Sequence, residues 1–167
     1  MSGGVLVIGY GNALRTDDGL GWHAAERLAA DPRLAGATVF RRHQLTPELA
    51  VDISAASFVV FVDASRAAAG ALSVDPVETA PTTAIPWTHH VDPALLLALA
   101  RDLYGRAPEA VAVSAGVASD AAGDRLSPLL EAVLPQVVDV VARLVEEAAA
   151  PAPVPAGGGK APRAGHA

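Results

Sequence analysis

The chain has 167 residues, the size of one ordinary domain. Its 12 basic and 18 acidic residues leave a net charge of −6, with Lys160 the only lysine, so neither nucleic acid nor an anionic membrane surface is expected as a partner. There is no cysteine, which excludes disulfides, thiolate metal sites and a cysteine nucleophile; any metal must be held by nitrogen and oxygen.

Val5-Leu6-Val7-Ile8 is a short, largely β-branched run stopped by Gly9, the pattern of a strand buried on both faces. Residues 18–30 follow as a helix, with Trp22, Ala25, Leu28 and Ala29 at helical spacing. Val39-Phe40 is a weaker strand. Thr46-Pro47 opens a second helix, with Thr46 as N-cap and Pro47 in its first position. Phe58-Val59-Val60-Phe61-Val62 is the clearest strand and is expected to end at Asp63. Residues 72–77 make another strand. A helix over residues 92–104 is capped by Asp92 and stopped by Gly105. Residues 110–117 give a fifth strand, and residues 126–149 a last helix with Ser127-Pro128 near its start.

Strands alternating with helices call for a mostly parallel sheet covered on both faces. The expectation is an α/β fold: a three-layer α/β/α sandwich of about five strands forming one domain over residues 1–149. Residues 150–167 turn to Pro, Ala and Gly and are expected to be a disordered tail. No apolar run is long enough to span a bilayer and no signal-peptide pattern opens the chain. A cytoplasmic monomer, with no membrane partner, is the expectation.

In an open parallel sheet, ligands collect outside the carboxyl ends of the strands. Three polar clusters fall there: Gly9-Tyr10-Gly11-Asn12 leading to Thr16-Asp17-Asp18-Gly19, then Asp63-Ala64-Ser65, then Thr88-His89-His90. The first resembles half a dinucleotide fingerprint, but Leu14 stands where a third small residue is needed, and Asp17 and Asp18 would repel a pyrophosphate. Asp17 and Asp18 also read as helix-dipole residues, and Asp63 as a cap. No Gly-x-Ser-x-Gly elbow is present. Taken together, two carboxylates and an imidazole from three strand-end loops suit a nitrogen/oxygen metal site with open positions for Ni, Zn, Mn or Fe. Paired-aspartate chemistry between Asp18 and Asp63 stays open.

Residues 5–12 with Thr16-Asp17-Asp18-Gly19-Leu20-Gly21 resemble the opening of the hydrogenase maturation proteases. The similarity continues through Leu45-Thr46-Pro47-Glu48-Leu49, Val60-Phe61-Val62-Asp63-Ala64, Thr88-His89 and Leu103-Tyr104-Gly105, covering about residues 4–147. The resemblance implies an endopeptidase that trims the C-terminal extension of a nickel–iron hydrogenase large-subunit precursor. It implies a nickel site at Asp18, Asp63 and His89, with His90 the alternative to His89 and the nickel brought by the substrate. Asp18 and Asp63 would carry the catalysis, Asn12 and His43 substrate contacts. Where many relatives have an Asp-Gly-Gly-Thr-like turn, this chain has Arg42-His43-Gln44-Leu45. The alternative is a nickel- or precursor-binding chaperone on the same fold that does not cut.

Overall fold

The computed structural model describes residues 3–81 and 90–155. The chain builds β1 (Val5–Tyr10), a 3-10 turn (Thr16–Gly19), α1 (Leu20–Ala29), β2 (Thr38–Arg42) and α2 (Leu49–Ala55). There follow β3 (Phe58–Ala69), β4 (Leu72–Pro76), α3 (Pro93–Tyr104), β5 (Glu109–Gly116) and α4 (Pro128–Ala149). One five-stranded sheet has the order β2-β1-β3-β5-β4. All neighbours are parallel except β4, which runs antiparallel to β5.

The strand alternation sorts the core into two layers. Val5, Val7, Val60 and Val62 face one side, where they pack with Leu20, Ala24 and Leu28 of α1 and with Leu130, Leu134 and Val137 of α4. Leu6, Ile8, Val59 and Phe61 face the other, against Leu49 and Ile53 of α2 and Leu96 and Leu97 of α3. The three-layer sandwich is therefore the observed architecture. Each fully buried Leu or Ile contributes roughly 1.5–3 kcal/mol, and both faces of the central strands are closed. Gly21 brings α1 onto the sheet: a Cβ there would lie 2.2 Å from the Val62 carbonyl oxygen and 2.3 Å from that of Tyr10.

Several local expectations are met in detail. Asp92 accepts a bond from the Leu95 N–H at 2.8 Å, and Gly105 closes α3 at φ +79°. Ser127 caps α4, followed by Pro128. Three are corrected. The helix expected to begin at Asp18 starts as a 3-10 turn, and α1 proper opens at Leu20. Thr46 does not cap α2: the N-cap is Glu48, because Leu49 and Ala50 first close a turn onto the Thr46 and Pro47 carbonyls. Nor does the central strand end at Asp63. It runs to Ala69, since β5 offers partners up to Gly116, with a bulge after Ser65. Among the described residues no helix is long and apolar enough to cross a membrane.

Candidate active site

The site is built where β1 stops and β3 continues. The last β1–β3 partners are Gly9 and Val62, so Tyr10 and Asp63 stand level at the carboxyl edge of the sheet. Gly11 then turns the chain at φ +148°, and a Cβ on it would lie 2.0 Å from the Asp18 carbonyl oxygen. Only glycine lets the strand end pass beneath the 3-10 turn. The Asn12 N–H donates to the Asp18 carboxylate at 3.1 Å and fixes its direction. The Asn12 side-chain oxygen accepts from the Leu14 N–H at 2.9 Å. Asn12, expected as a substrate contact, is thus engaged in holding Asp18 and closing its own turn.

Two neighbouring aspartates divide the labour. Asp17 has no exposed surface. It accepts bonds from the Ala118 and Ser119 N–H groups, both at 2.9 Å, and from the Ser127 N–H and hydroxyl at 2.7 and 2.8 Å. Burial alone would raise its pKa, but the bonds from Ser127, Ala118 and Ser119 outweigh it and hold the carboxyl below the ordinary value. Thr16 beside it adopts φ +45°, a strained conformation for a β-branched residue. It is held there by its N–H donating to the Gly123 carbonyl at 3.0 Å and its hydroxyl donating to the Ala121 carbonyl at 2.6 Å. Asp17 is the anchor, and Asp18 is thereby left to face the edge of the sheet.

Asp63 is half-buried at the same sheet edge. Burial pushes its carboxyl up to about 7; bonds from the Ala64 N–H and the Tyr10 hydroxyl act against that rise, while the Asp18 charge adds to it. The Ala64 bond is 2.7 Å. The Tyr10 hydroxyl is itself pushed well above its ordinary value, first by burial and then by the Asp63 charge. Asp18 and Asp63 are therefore two carboxylates that feel each other's charge at a partly dry sheet edge.

Tyr10, Asp18, His43, Asp63, His90 and Val91 line one cleft of about 420 Å³. A second cleft of about 310 Å³ continues from Asp18 past Arg15, Ser65, Arg66 and Asp120. The structure thus brings Asp18, Asp63, His43 and His90 together, with both histidines exposed. His89 lies outside the described residues. Among the described residues no three His, Asp or Glu side chains are grouped closely enough to enclose a metal ion by themselves. The available donor set is a carboxylate pair with imidazole at its rim, a hard-to-intermediate set that leaves positions open.

Solved structures share this architecture. The nickel–iron hydrogenase maturation protease HycI from Thermococcus kodakarensis aligns with a TM-score of 0.68 at 19% identity, over 86% of this chain and 92% of its own. The hydrogenase maturating endopeptidase HybD from Escherichia coli aligns with a TM-score of 0.69 at 22% identity, over 87% and 94%. The fold is that of the hydrogenase maturation proteases. A third such structure, the hydrogenase 2 maturation peptidase from a Thaumarchaeota archaeon, gives 0.62 at 23% identity over 85% and 97%. No protein-family model matches the chain, and no curated protein matches it.

Two residues escaped the sequence reading. Asp17 is one, since nothing in a Thr-Asp-Asp-Gly string tells the buried aspartate from the facing one. Tyr10 carried a weak signal: a hydroxyl-bearing aromatic placed directly after a fully buried strand and level with the Asp63 position.

Proposed function

We propose that this chain is an endopeptidase that removes the C-terminal extension of a nickel–iron hydrogenase large-subunit precursor after nickel has been inserted. The observation that carries the reading is the convergence of Asp18 and Asp63, with His90 and His43, in one cleft of a fold shared with maturation proteases. The nickel belongs to the substrate. Asp63 is raised by burial and by Asp18, and a cation brought to this edge relieves both penalties at once. Asp18 and Asp63 would hold it together with His89; His90 lines the same cleft but is not grouped closely enough with the two carboxylates to complete the set. His43 stands on the cleft wall as a substrate contact.

Nickel held by these residues would supply a Lewis acid for the carbonyl to be attacked. The chain's own part is to orient the scissile peptide against the Asp18 and Asp63 carboxylates and to accept the proton of the attacking water. One carboxylate of the pair, Asp18 or Asp63, serves as that general base. The Asn12 N–H keeps Asp18 aimed, and the Ala64 N–H holds the Asp63 carboxylate.

The test is a mass spectrum of nickel-loaded precursor incubated with wild type and with Asp63→Asn. Loss of a defined C-terminal peptide with wild type alone is the expected result. A precursor that stays whole with wild type but co-purifies with it would replace cleavage by a binding role.

A further inference from the structure

The cleft beyond Asp18 has a feature the cleavage chemistry does not use. Two of its walls carry arginines, Arg15 and Arg66, and neither side chain has an ion-pair or hydrogen-bond partner among the described residues. That is unusual in this acidic chain. Every other arginine among the described residues except Arg125 is engaged by a carboxylate, a backbone carbonyl or an aromatic ring. The two unengaged guanidiniums around one cleft also rest on fixed backbone. The Arg15 N–H donates to the Asn12 carbonyl at 3.0 Å, and Arg15 is bridged to Gly123. Arg66 follows Ser65, whose carbonyl accepts from the Val117 N–H at 3.0 Å.

A guanidinium is a planar fork of donors shaped for a carboxylate, and the bond is strongest when the fork is placed in advance. The opposing charges in the cleft are Asp18 and Asp120. In the proposed reading Asp18 faces the substrate's nickel in the neighbouring cleft, which leaves two cations facing Asp120. The balance favours an anion. Because Asp18 borders both clefts, a peptide crossing the carboxyl edge of the sheet leaves the Asp63 side and enters the arginine side without a break.

We propose that this second cleft receives the precursor's C-terminal extension, with Arg15 and Arg66 gripping a carboxylate of that extension. The proposal rests on the endopeptidase reading and adds to it what the enzyme selects beyond the cut. The carboxylate is either an Asp or Glu side chain or the chain terminus itself; both present the same two oxygens.

Steady-state cleavage of nickel-loaded precursor separates the cases. The Arg15→Gln/Arg66→Gln double variant is expected to raise KM by about 10- to 100-fold, the equivalent of one or two charge-assisted bonds, with kcat much less affected. Arg15→Lys/Arg66→Lys recovers part of the loss, and Asp120→Asn lowers KM, a change of sign that a purely structural role would not give. Thermal melts of each variant establish that it is folded. On the substrate side, Asp/Glu→Asn/Gln changes in the extension raise KM if a side chain is gripped. Two alanines appended to the precursor raise it if the terminus is. Neither change adds to the double-Gln effect. A wild type that cuts the precursor, matched in KM by the double-Gln variant, overturns the subsite alone. A wild type that leaves the precursor whole overturns the endopeptidase reading and the subsite with it.

Discussion

Asp63 is held in a state that costs the fold stability, and that cost has a pH signature. In the unfolded chain its carboxyl titrates near 3.8; in the fold, burial lifts it to about 7. Between these values the folded chain keeps a proton that the unfolded chain has lost, so stability falls as pH rises from about 4 to about 7 and is flat above. Asp63→Asn removes the ionisation while its side-chain oxygen still accepts from the Ala64 N–H. The variant is therefore expected to melt higher than wild type at pH 8, by on the order of 2 to 4 kcal/mol, with the gap closing toward pH 4. Melting curves at pH 4.5 and 8 read this directly; an unchanged gap, or a variant less stable than wild type at pH 8, would mean that Asp63 is well solvated. The residue whose loss should abolish cleavage is then also one whose loss strengthens the fold. That trade is the ordinary mark of a site kept for function rather than for stability.

At the scale of elements, the site depends on a junction that the sequence hides. The segment from Leu14 to Asp17 is knitted to residues 118–127 by the Asp17 carboxylate, the Thr16 contacts and the bond from the Gly123 N–H to the Leu14 carbonyl. The hydrophobic periods, the Asp92 and Ser127 caps and the glycine stop at Gly105 were legible because each is a local rule obeyed locally. The run of β3 past Asp63 and the Glu48 cap were not, since the first depends on a partner strand far along the chain and the second on a turn. Asp17 belongs to the same class, its partners lying 101 to 110 residues away. Asp17→Ala leaves three N–H donors and the Ser127 hydroxyl without that acceptor, and is expected to cost about 3 to 5 kcal/mol. Urea unfolding measures it. The same variant should cut poorly even where it is still folded, because Asp18 loses its frame. A loss under about 1 kcal/mol would mean that the 118–127 segment is not anchored through Asp17.

On the scale of the whole molecule, fold and site were unequally legible. Five strands and their helices follow from alternation and burial, which composition and period report. Asp18 and Asp63 were legible because each follows a strand that must end or open at the ligand edge. Arg15 and Arg66 were not, for an arginine near a turn reads as a solvated surface charge until the structure shows that neither has a partner among the described residues and both face one cleft. In the proposed reading the two clefts divide the substrate between them, and that division bears on how nickel loading would be sensed. Asp18 and Asp63 oppose each other when no cation is present, and the burial cost at Asp63 is then uncompensated. A precursor carrying nickel supplies the missing charge, whereas a precursor without it offers the same peptide to the second cleft and nothing to the first. The difference in affinity between the two forms is therefore expected to reside at the carboxylate pair, at roughly tenfold or more, the equivalent of about 1.4 kcal/mol. Titration calorimetry with cleavage-deficient Asp18→Asn/Asp63→Asn should show that preference gone, while the weaker, nickel-independent contribution of Arg15 and Arg66 persists. Equal affinity of wild type for the loaded and empty precursors would mean that this sheet edge does not read the metal.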